Sequence, residues 1–103
     1  MVSTPYLRGR AWEYKALRML REAGWVCSRS AMSHGPVDIF AANGRRVVLI
    51  QVKSGSARVN GAQREGLVQW ARAFRAEAEV WRFRKRGRLE KITVYPARRG
   101  HAE

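Results

Sequence analysis

The only aspartate of this 103-residue chain, Asp38, lies in an apolar stretch between Val37 and Ile39. A carboxylate in such a partly dry site costs free energy unless a cation or hydrogen-bond donors compensate it. Because the chain has one aspartate among its eight acidic residues, this position indicates a nearby cation. That cation is either a divalent metal ion or a basic side chain.

A β-hairpin is predicted to follow Asp38. The dipeptide Asn43-Gly44 is a strong signal for a tight turn, and it separates two apolar runs at residues 37–42 and 45–53. If these two residues alone form the turn, Asp38 lies opposite Leu49 on the second strand.

Alternation of side chains along the strands then puts Asp38 on the same face as Gln51 and Lys53. Gln51 is the diagonal neighbour of Asp38, within roughly 7–8 Å, and Lys53 lies one step further. Two interpretations remain open for this cluster. Either Asp38 and Lys53 form an ion pair at the end of the sheet, or the three side chains belong to an active site.

A second carboxylate, Glu13, lies in a predicted helix from about Gly9 to Ala23. It is in line with Leu17 and Leu20 at helical spacing, at the edge of the stripe that packs toward the sheet. The alternative is a glutamate favoured by the helix dipole or paired with Lys15 or a nearby arginine.

Two carboxylates, an amide and an amine in one place suit phosphodiester hydrolysis. Hard oxygen ligands bind Mg²⁺ or Mn²⁺. A metal ion held by Glu13, Asp38 and Gln51 would polarise a phosphodiester and generate hydroxide. Lys53 would orient the water or stabilise the developing negative charge. These residues favour a nuclease.

The charge of the chain points to a polyanionic partner. Lysine and arginine number 21 against eight acidic residues, which gives a net charge of +13, and arginine predominates. The planar guanidinium matches phosphate, so the composition favours binding to nucleic acid. The alternative is a basic surface that is only solvated.

Composition also excludes several classes of protein. The 46% hydrophobic content, with four tryptophans, argues against a disordered basic tail. No stretch approaches the roughly 18 apolar residues of a membrane span, and the N-terminus lacks the apolar core of a signal peptide. One cysteine and two histidines exclude an internal disulfide framework and a zinc module. We therefore expect a cytoplasmic protein with no membrane partner.

The remaining elements predict an α/β fold. Strands are expected at residues 25–29, 37–42, 45–53, 79–84 and 89–95, with helices at 9–23 and 61–78 and a basic turn at 85–88. The order α-β-β-β-α-β-β indicates a mixed central sheet of about five strands flanked by helices. We expect one domain, 1–103, with a structured core at 7–96 and a flexible tail at 97–103.

The motif at this hairpin resembles the PD-(D/E)xK nuclease signature. Gly35-Pro36-Val37-Asp38 is followed by Ile50-Gln51-Val52-Lys53-Ser54, written PVD…QVK. Arg8-Gly9-x-x-x-Glu13 and Arg29-Ser30-Ala31-x-Ser33 extend the resemblance to the archaeal-type Holliday junction resolvases. The resemblance covers roughly residues 7–56 well and the remainder in outline, and it implies a restriction-endonuclease-like core.

The resemblance implies the role of each site residue. A helix glutamate, the strand aspartate and the second acid of the motif hold the metal ions in that family, and the lysine assists. These positions are Glu13, Asp38, Gln51 and Lys53, and Ser30 would be an additional active-site residue. Family members are Mg²⁺-dependent homodimers that cut two opposing strands of a four-way junction, and Mn²⁺ is expected to substitute.

Three positions depart from the family pattern. Gln51 stands where the family has an acid, so the site carries one negative charge less. Val37 separates Pro36 from Asp38, and Tyr14 replaces a residue that is often basic. Gln51 is compatible with weaker metal affinity, with a greater share of the charge on Glu13, or with loss of catalysis.

The interaction surfaces are predicted less sharply. Basic residues expected to contact DNA phosphates are Arg8, Arg10, Arg29, Arg58 and Arg64. Aromatic residues that exceed the needs of a small core, and so suggest a dimer surface, are Trp70, Phe74, Trp81 and Phe83, of which at least two should be core. The alternative functions are a related nuclease of other branched or duplex DNA and a catalytically silent DNA-binding protein.

Overall fold

The computed structural model describes residues 5–31 and 35–96, with side chains from residue 9 onward. The elements are α1 (Pro5–Glu22), β1 (Val26–Arg29), β2 (Ile39–Ala42), β3 (Val47–Ser54), α2 (Gly61–Phe74), β4 (Glu77–Phe83), a 3₁₀ turn (Lys85–Gly87) and β5 (Leu89–Tyr95). The five strands form one sheet in the order β1-β2-β3-β4-β5. The predicted mixed α/β fold is therefore confirmed.

Strand directions follow from the connections. Neighbouring strands are antiparallel except β3 and β4, which are parallel because α2 crosses over between them. No helix in the described segments is long and apolar enough to span a membrane.

The two helices cover different faces of the sheet because side chains alternate along the strands. On one face, Leu17 and Leu20 of α1 pack with Ile39, Ile50 and Phe83. On the other face, the buried residues of α2 pack against apolar residues of β3 and β4; this cluster contains Leu49, Leu67, Ala71, Ala78 and Val80.

The second helix is shorter than predicted. It ends at Phe74 rather than residue 78, because Arg75 adopts a left-handed conformation (φ 54°) that closes the helix. Strand β4 then begins at Glu77, which is 8% exposed and accepts two hydrogen bonds from the Arg46 guanidinium at 2.8 and 2.9 Å. This pairing fixes the start of β4, and sequence spacing gave no signal of it.

The turn between β2 and β3 has four residues, so the predicted two-residue turn was wrong. The side chain of Asn43 accepts hydrogen bonds from the backbone N–H groups of Arg45 and Arg46 at 2.9 and 2.8 Å, which widens the turn. Phe40 consequently pairs with Leu49, the residue that we expected opposite Asp38. Because the pairing shifts by two residues, the faces of the strands are unchanged.

The predicted tail at 97–103 lies outside the described residues.

Candidate active site

A cleft of about 660 Å³ opens between α2, β3 and the segment that precedes β2. It is lined by four of the five residues predicted to form the site: Glu13, Asp38, Gln51 and Lys53. The helix side of the cleft is formed by Ala62, Gln63, Gly66, Gln69 and Trp70. The structure thus brings both carboxylates, the amide and the amine to one opening.

Asp38 is held by hydrogen bonds to both neighbouring strands. Its backbone N–H donates to the carbonyl oxygen of Ile50 at 2.9 Å, and its own carbonyl accepts from the N–H of Ser30 at 2.8 Å. Its carboxylate accepts from the N–H of Val52 at 2.7 Å. Regular β2–β3 pairing ends at Ile39 with Ile50. Asp38, just before β2, also bonds to Ile50 through its N–H, so the strand is irregular at this point. The backbone therefore fixes the direction of the carboxylate.

Burial raises the pKa of Asp38 to about 6. Desolvation is the largest cause, because the charged carboxylate loses contact with water. The hydrogen bond from Val52 opposes the shift, the nearby Glu13 carboxylate adds to it, and Lys53 and Arg29 lower the pKa. Asp38 and Lys53 form no ion pair within the described residues. The positive charge of Lys53 offsets only part of the cost of burial.

Gln51 also lines the cleft, and its side-chain oxygen is a buried hydrogen-bond acceptor. The residue is 6% exposed, and its Oε1 atom has no hydrogen-bond partner within the described part of the chain. A buried polar atom without a partner costs about 1–3 kcal/mol, so most proteins satisfy such groups. An oxygen of this kind beside Asp38 is suited to a cation.

Glu13 approaches the cleft from α1 and is oriented by Arg29. The Arg29 guanidinium donates to Oε1 of Glu13 at 3.3 Å and lies 5.5 Å from the ring centre of Tyr14. This contact involves one of the two carboxylate oxygens of Glu13. Of the partners expected if Glu13 were only paired, an arginine is thus observed, whereas Lys15 lies over the ring of Trp12 at 5.3 Å.

The helix wall of the cleft was not predicted. A Cβ atom on Gly66 would lie 3.3 Å from the Cβ of Pro36, so a glycine there permits α2 to approach the loop before Asp38. Asn60 and Gln63 form a reciprocal capping box that starts the helix. The Asn-x-x-Gln spacing was the available signal for this helix start.

The other predicted residues lie around the cleft. Ser30 follows β1 and contacts Asp38 through its backbone N–H, but it is not among the described residues that line the cleft. Arg10 is partly buried on α1, and Arg58 and Arg64 are exposed near the start of α2. The side chain of Arg8 lies outside the described residues.

Two of the aromatic residues suggested for a dimer surface are core residues. Trp81 and Phe83 are 3% and 1% exposed, as expected for at least two of the four. Trp70 and Phe74 instead stack at 5.7 Å between ring centres, next to Phe40, and Phe74 is 52% exposed. We call Phe40, Trp70 and Phe74 the aromatic patch.

The donor set fits a hard divalent ion. No group of three or more histidine, cysteine or acidic residues that could hold a metal occurs within residues 5–31 and 35–96. Glu13 and Asp38 supply carboxylates, and Gln51 supplies the unmatched amide oxygen. Mg²⁺ is commonly bound by one or two carboxylates, with water and substrate phosphates completing its coordination.

Comparisons with known proteins agree with this fold. The model of the archaeal Holliday junction resolvase (Hjc) family matches residues 4–99. The structure is similar to that of Hjc from Archaeoglobus fulgidus, described as a Holliday junction resolvase, with 33% identity and a TM-score of 0.76. The similarity covers 84% of this chain and 73% of that one. A search of curated protein sequences found no match. Because the family match spans nearly all of the sequence, this chain belongs to the archaeal Holliday junction resolvase family.

Proposed function

We propose that this chain is a Mg²⁺-dependent endonuclease that binds four-way DNA junctions and cuts two opposing strands as a homodimer. The observation that carries the proposal is the convergence of Glu13, Asp38, Gln51 and Lys53 in one cleft of a resolvase-family fold. The protein would act inside the cell, where junction DNA is found.

Each residue of the cleft has a distinct role in this proposal. Glu13, Asp38 and Gln51 hold the metal ion, which when bound polarises the phosphodiester and lowers the pKa of its water. Lys53 places a positive charge where the phosphate gains negative charge during the reaction. Arg29 orients Glu13 through their 3.3 Å contact.

Because Gln51 is neutral, only two of the three proposed metal ligands, Glu13 and Asp38, carry a negative charge. Two carboxylates face the cleft, and each lies near a cation, since Arg29 contacts Glu13 and Lys53 lowers the pKa of Asp38. Metal affinity depends on the number of charged ligands. We infer that the site binds Mg²⁺ more weakly than a site with three carboxylates, and that Mn²⁺ can replace it.

Basic side chains would hold the DNA by its backbone. The net charge of +13 supports a phosphate-binding surface, and contacts to phosphates position a protein without reading base sequence. Such contacts suit a protein that recognises the shape of a branch. The contributors that we propose are Arg8, Arg10, Arg29, Arg58 and Arg64.

The aromatic patch would form the centre of the dimer. Aromatic residues are enriched at such interfaces because they bury large areas with little loss of side-chain entropy. Trp70 belongs both to the patch and to the lining of the cleft. A partner bound at the patch would therefore lie next to the active site, and a two-fold axis there would pair two sites for two cuts.

Cleavage of a synthetic four-way junction is the direct test of the proposed function. We expect the wild type to make paired symmetric nicks in Mg²⁺. Asp38→Asn should lower the rate by more than about 100-fold while binding is retained, because a direct metal ligand should matter at least as much as a second-shell group.

A linear duplex of the same sequence is the control substrate. Equal cutting of the duplex would indicate a nuclease of different specificity. Junction binding by the wild type with no product in Mg²⁺ or Mn²⁺ would mean a catalytically silent protein, and loss of binding in Asp38→Asn would mean that this residue is structural.

Gln51→Glu should tighten Mn²⁺ binding in the absence of DNA by about tenfold, because it adds a charged ligand. Calorimetric titration measures the affinity directly. Gln69→Glu adds the same charge to an exposed position in the same cleft and is the matched control. Equal tightening in both variants would show that Gln51 contributes only to the general field and is not a ligand.

In the absence of metal, the free energy of unfolding should depend on pH because Asp38 is partly buried. Because its folded pKa is about 6 and its ordinary value is 3.8, the folded state holds this proton more strongly than the unfolded state. Folding stability therefore falls as pH rises from about 4 to about 6. Relative to the wild type, Asp38→Asn should gain up to about 3 kcal/mol across this window.

Urea unfolding in EDTA at several pH values measures this difference. Glu65→Gln, which removes an exposed carboxylate from α2, is the control for the loss of one negative charge. If the unfolding free energies of Asp38→Asn and wild type differ by the same amount from pH 4 to pH 7, burial of the Asp38 carboxylate does not destabilise the fold.

Phe74→Glu should convert the dimer to a monomer, because it places a charge at the centre of the aromatic patch. Light scattering during size-exclusion chromatography at micromolar concentration measures the mass. Val26→Glu changes another exposed apolar residue, on β1, and should leave the dimer intact. A dimer that persists in Phe74→Glu would place the interface elsewhere.

A further inference from the structure

A second concave surface lies beside the cleft, on the α2 side of the sheet. This groove of about 300 Å³ is lined by Arg58, Val59, Arg64, Val80, Arg82, Ile92 and Val94, and we call it the arginine groove. Among these described residues, three are arginines and none is acidic. Val59, Val80 and Val94 belong to the core that packs under α2, so the charged groups lie over an apolar floor.

The strand register joins the arginine groove to the cleft. Lys53 of β3 pairs with Arg82 of β4, which in turn pairs with Glu90 of β5. Directly paired residues share a face of the sheet, and neighbouring strands are about 4.8 Å apart. Arg82 is therefore one strand away from the amine of the active site, on the same face.

Arg82 is held in place but incompletely paired. Its side chain is 15% exposed, and its Nε atom is buried without a hydrogen-bond partner in the described chain. Its contact with Glu90 is 3.6 Å, whereas Arg84 approaches the same carboxylate oxygen at 3.1 Å. Glu90 is thus shared, and the guanidinium of Arg82 retains donors for another anion.

Arg58 and Arg64 complete the charge of the groove. Both side chains are exposed, and neither forms an ion pair with any described residue. They flank Asn60, the residue that caps the start of α2. Three guanidinium groups around one concavity suit a phosphate, which accepts paired hydrogen bonds from arginine.

We infer that the arginine groove binds a phosphate of the cut DNA strand next to the scissile phosphate, with Arg82 as its fixed contact. The inference rests on the proposed function, because the cleft must hold the scissile phosphate. Arg82 is then a positioning residue that sets the path of the strand through the cleft, while Arg58 and Arg64 add charge at the rim.

Junction binding in EDTA tests this role without cleavage. We expect Arg82→Gln to weaken binding by about tenfold near 0.1 M salt and to lower the slope of log affinity against log salt by about 1, as for one lost phosphate contact. Arg82→Lys should recover part of the binding affinity and part of the salt dependence. Arg45→Gln is the matched control, since Arg45 is exposed in the turn at the opposite end of β3.

A neutral methylphosphonate on either side of the scissile phosphate identifies the contact. One of the two substitutions should weaken binding of the wild type several-fold and leave binding of Arg82→Gln unchanged, because the lost contact is the same. Equal weakening in both proteins would overturn the inference. If Arg82→Gln does not fold, exposed Arg64→Gln with the same substrates gives the corresponding comparison.

The outcomes separate the two proposals. A wild-type protein that does not bind or cut the junction contradicts the proposed function. A wild type that binds and cuts, with Arg82→Gln indistinguishable from Arg45→Gln, contradicts only the role of the arginine groove.

Discussion

The hydrogen bond from the Val52 N–H to the partly buried carboxylate of Asp38 is the contact on which the site depends. It ties the aspartate to β3 next to Gln51, which lines the same cleft and whose buried Oε1 atom has no hydrogen-bond partner in the described chain. The backbone bonds of Asp38 to Ile50 and Ser30 hold it between β3 and β1. Any slip of one residue in this register would send the carboxylate to the opposite face of the sheet. The alignment of β2 with β3 therefore determines whether the Asp38 carboxylate faces the cleft.

The burial of Asp38 and Gln51 costs stability. Burial raises the pKa of Asp38 to about 6, and Gln51 leaves a buried acceptor without a partner. A protein under selection for stability alone would remove both costs, so their occurrence in one cleft is typical of a functional site. Arg29 reduces the repulsion between the two carboxylates by pairing with Glu13. A bound divalent ion would offset the remaining costs.

Helix α2 organises the surroundings of the site. One side of it borders the cleft through Gly66 and Trp70, its N-terminal turn borders the arginine groove through Arg64, and its last turn carries the exposed ring of Phe74. The proposed metal site, the arginine groove and the proposed dimer surface therefore all adjoin one helix. Its start is fixed by the capping box and its end by the left-handed Arg75. A small shift of α2 would therefore change the geometry of all three surfaces.

The sequence by itself determined the order of elements, the mixed sheet and four of the residues that line the cleft, because hydrophobic periodicity and the spacing PVD…QVK are local signals. It assigned the faces correctly even though the turn was wrong, since the pairing differed by two residues. Only the tertiary structure decided the hydrogen bonds of Asp38 to Ile50 and Val52, the end of α2, the Arg46–Glu77 pair at the start of β4, and the row from Lys53 through Arg82 to Glu90. These features join residues far apart in the chain. Their positions depend on how a turn closes and how strands align, and no local spacing encodes either.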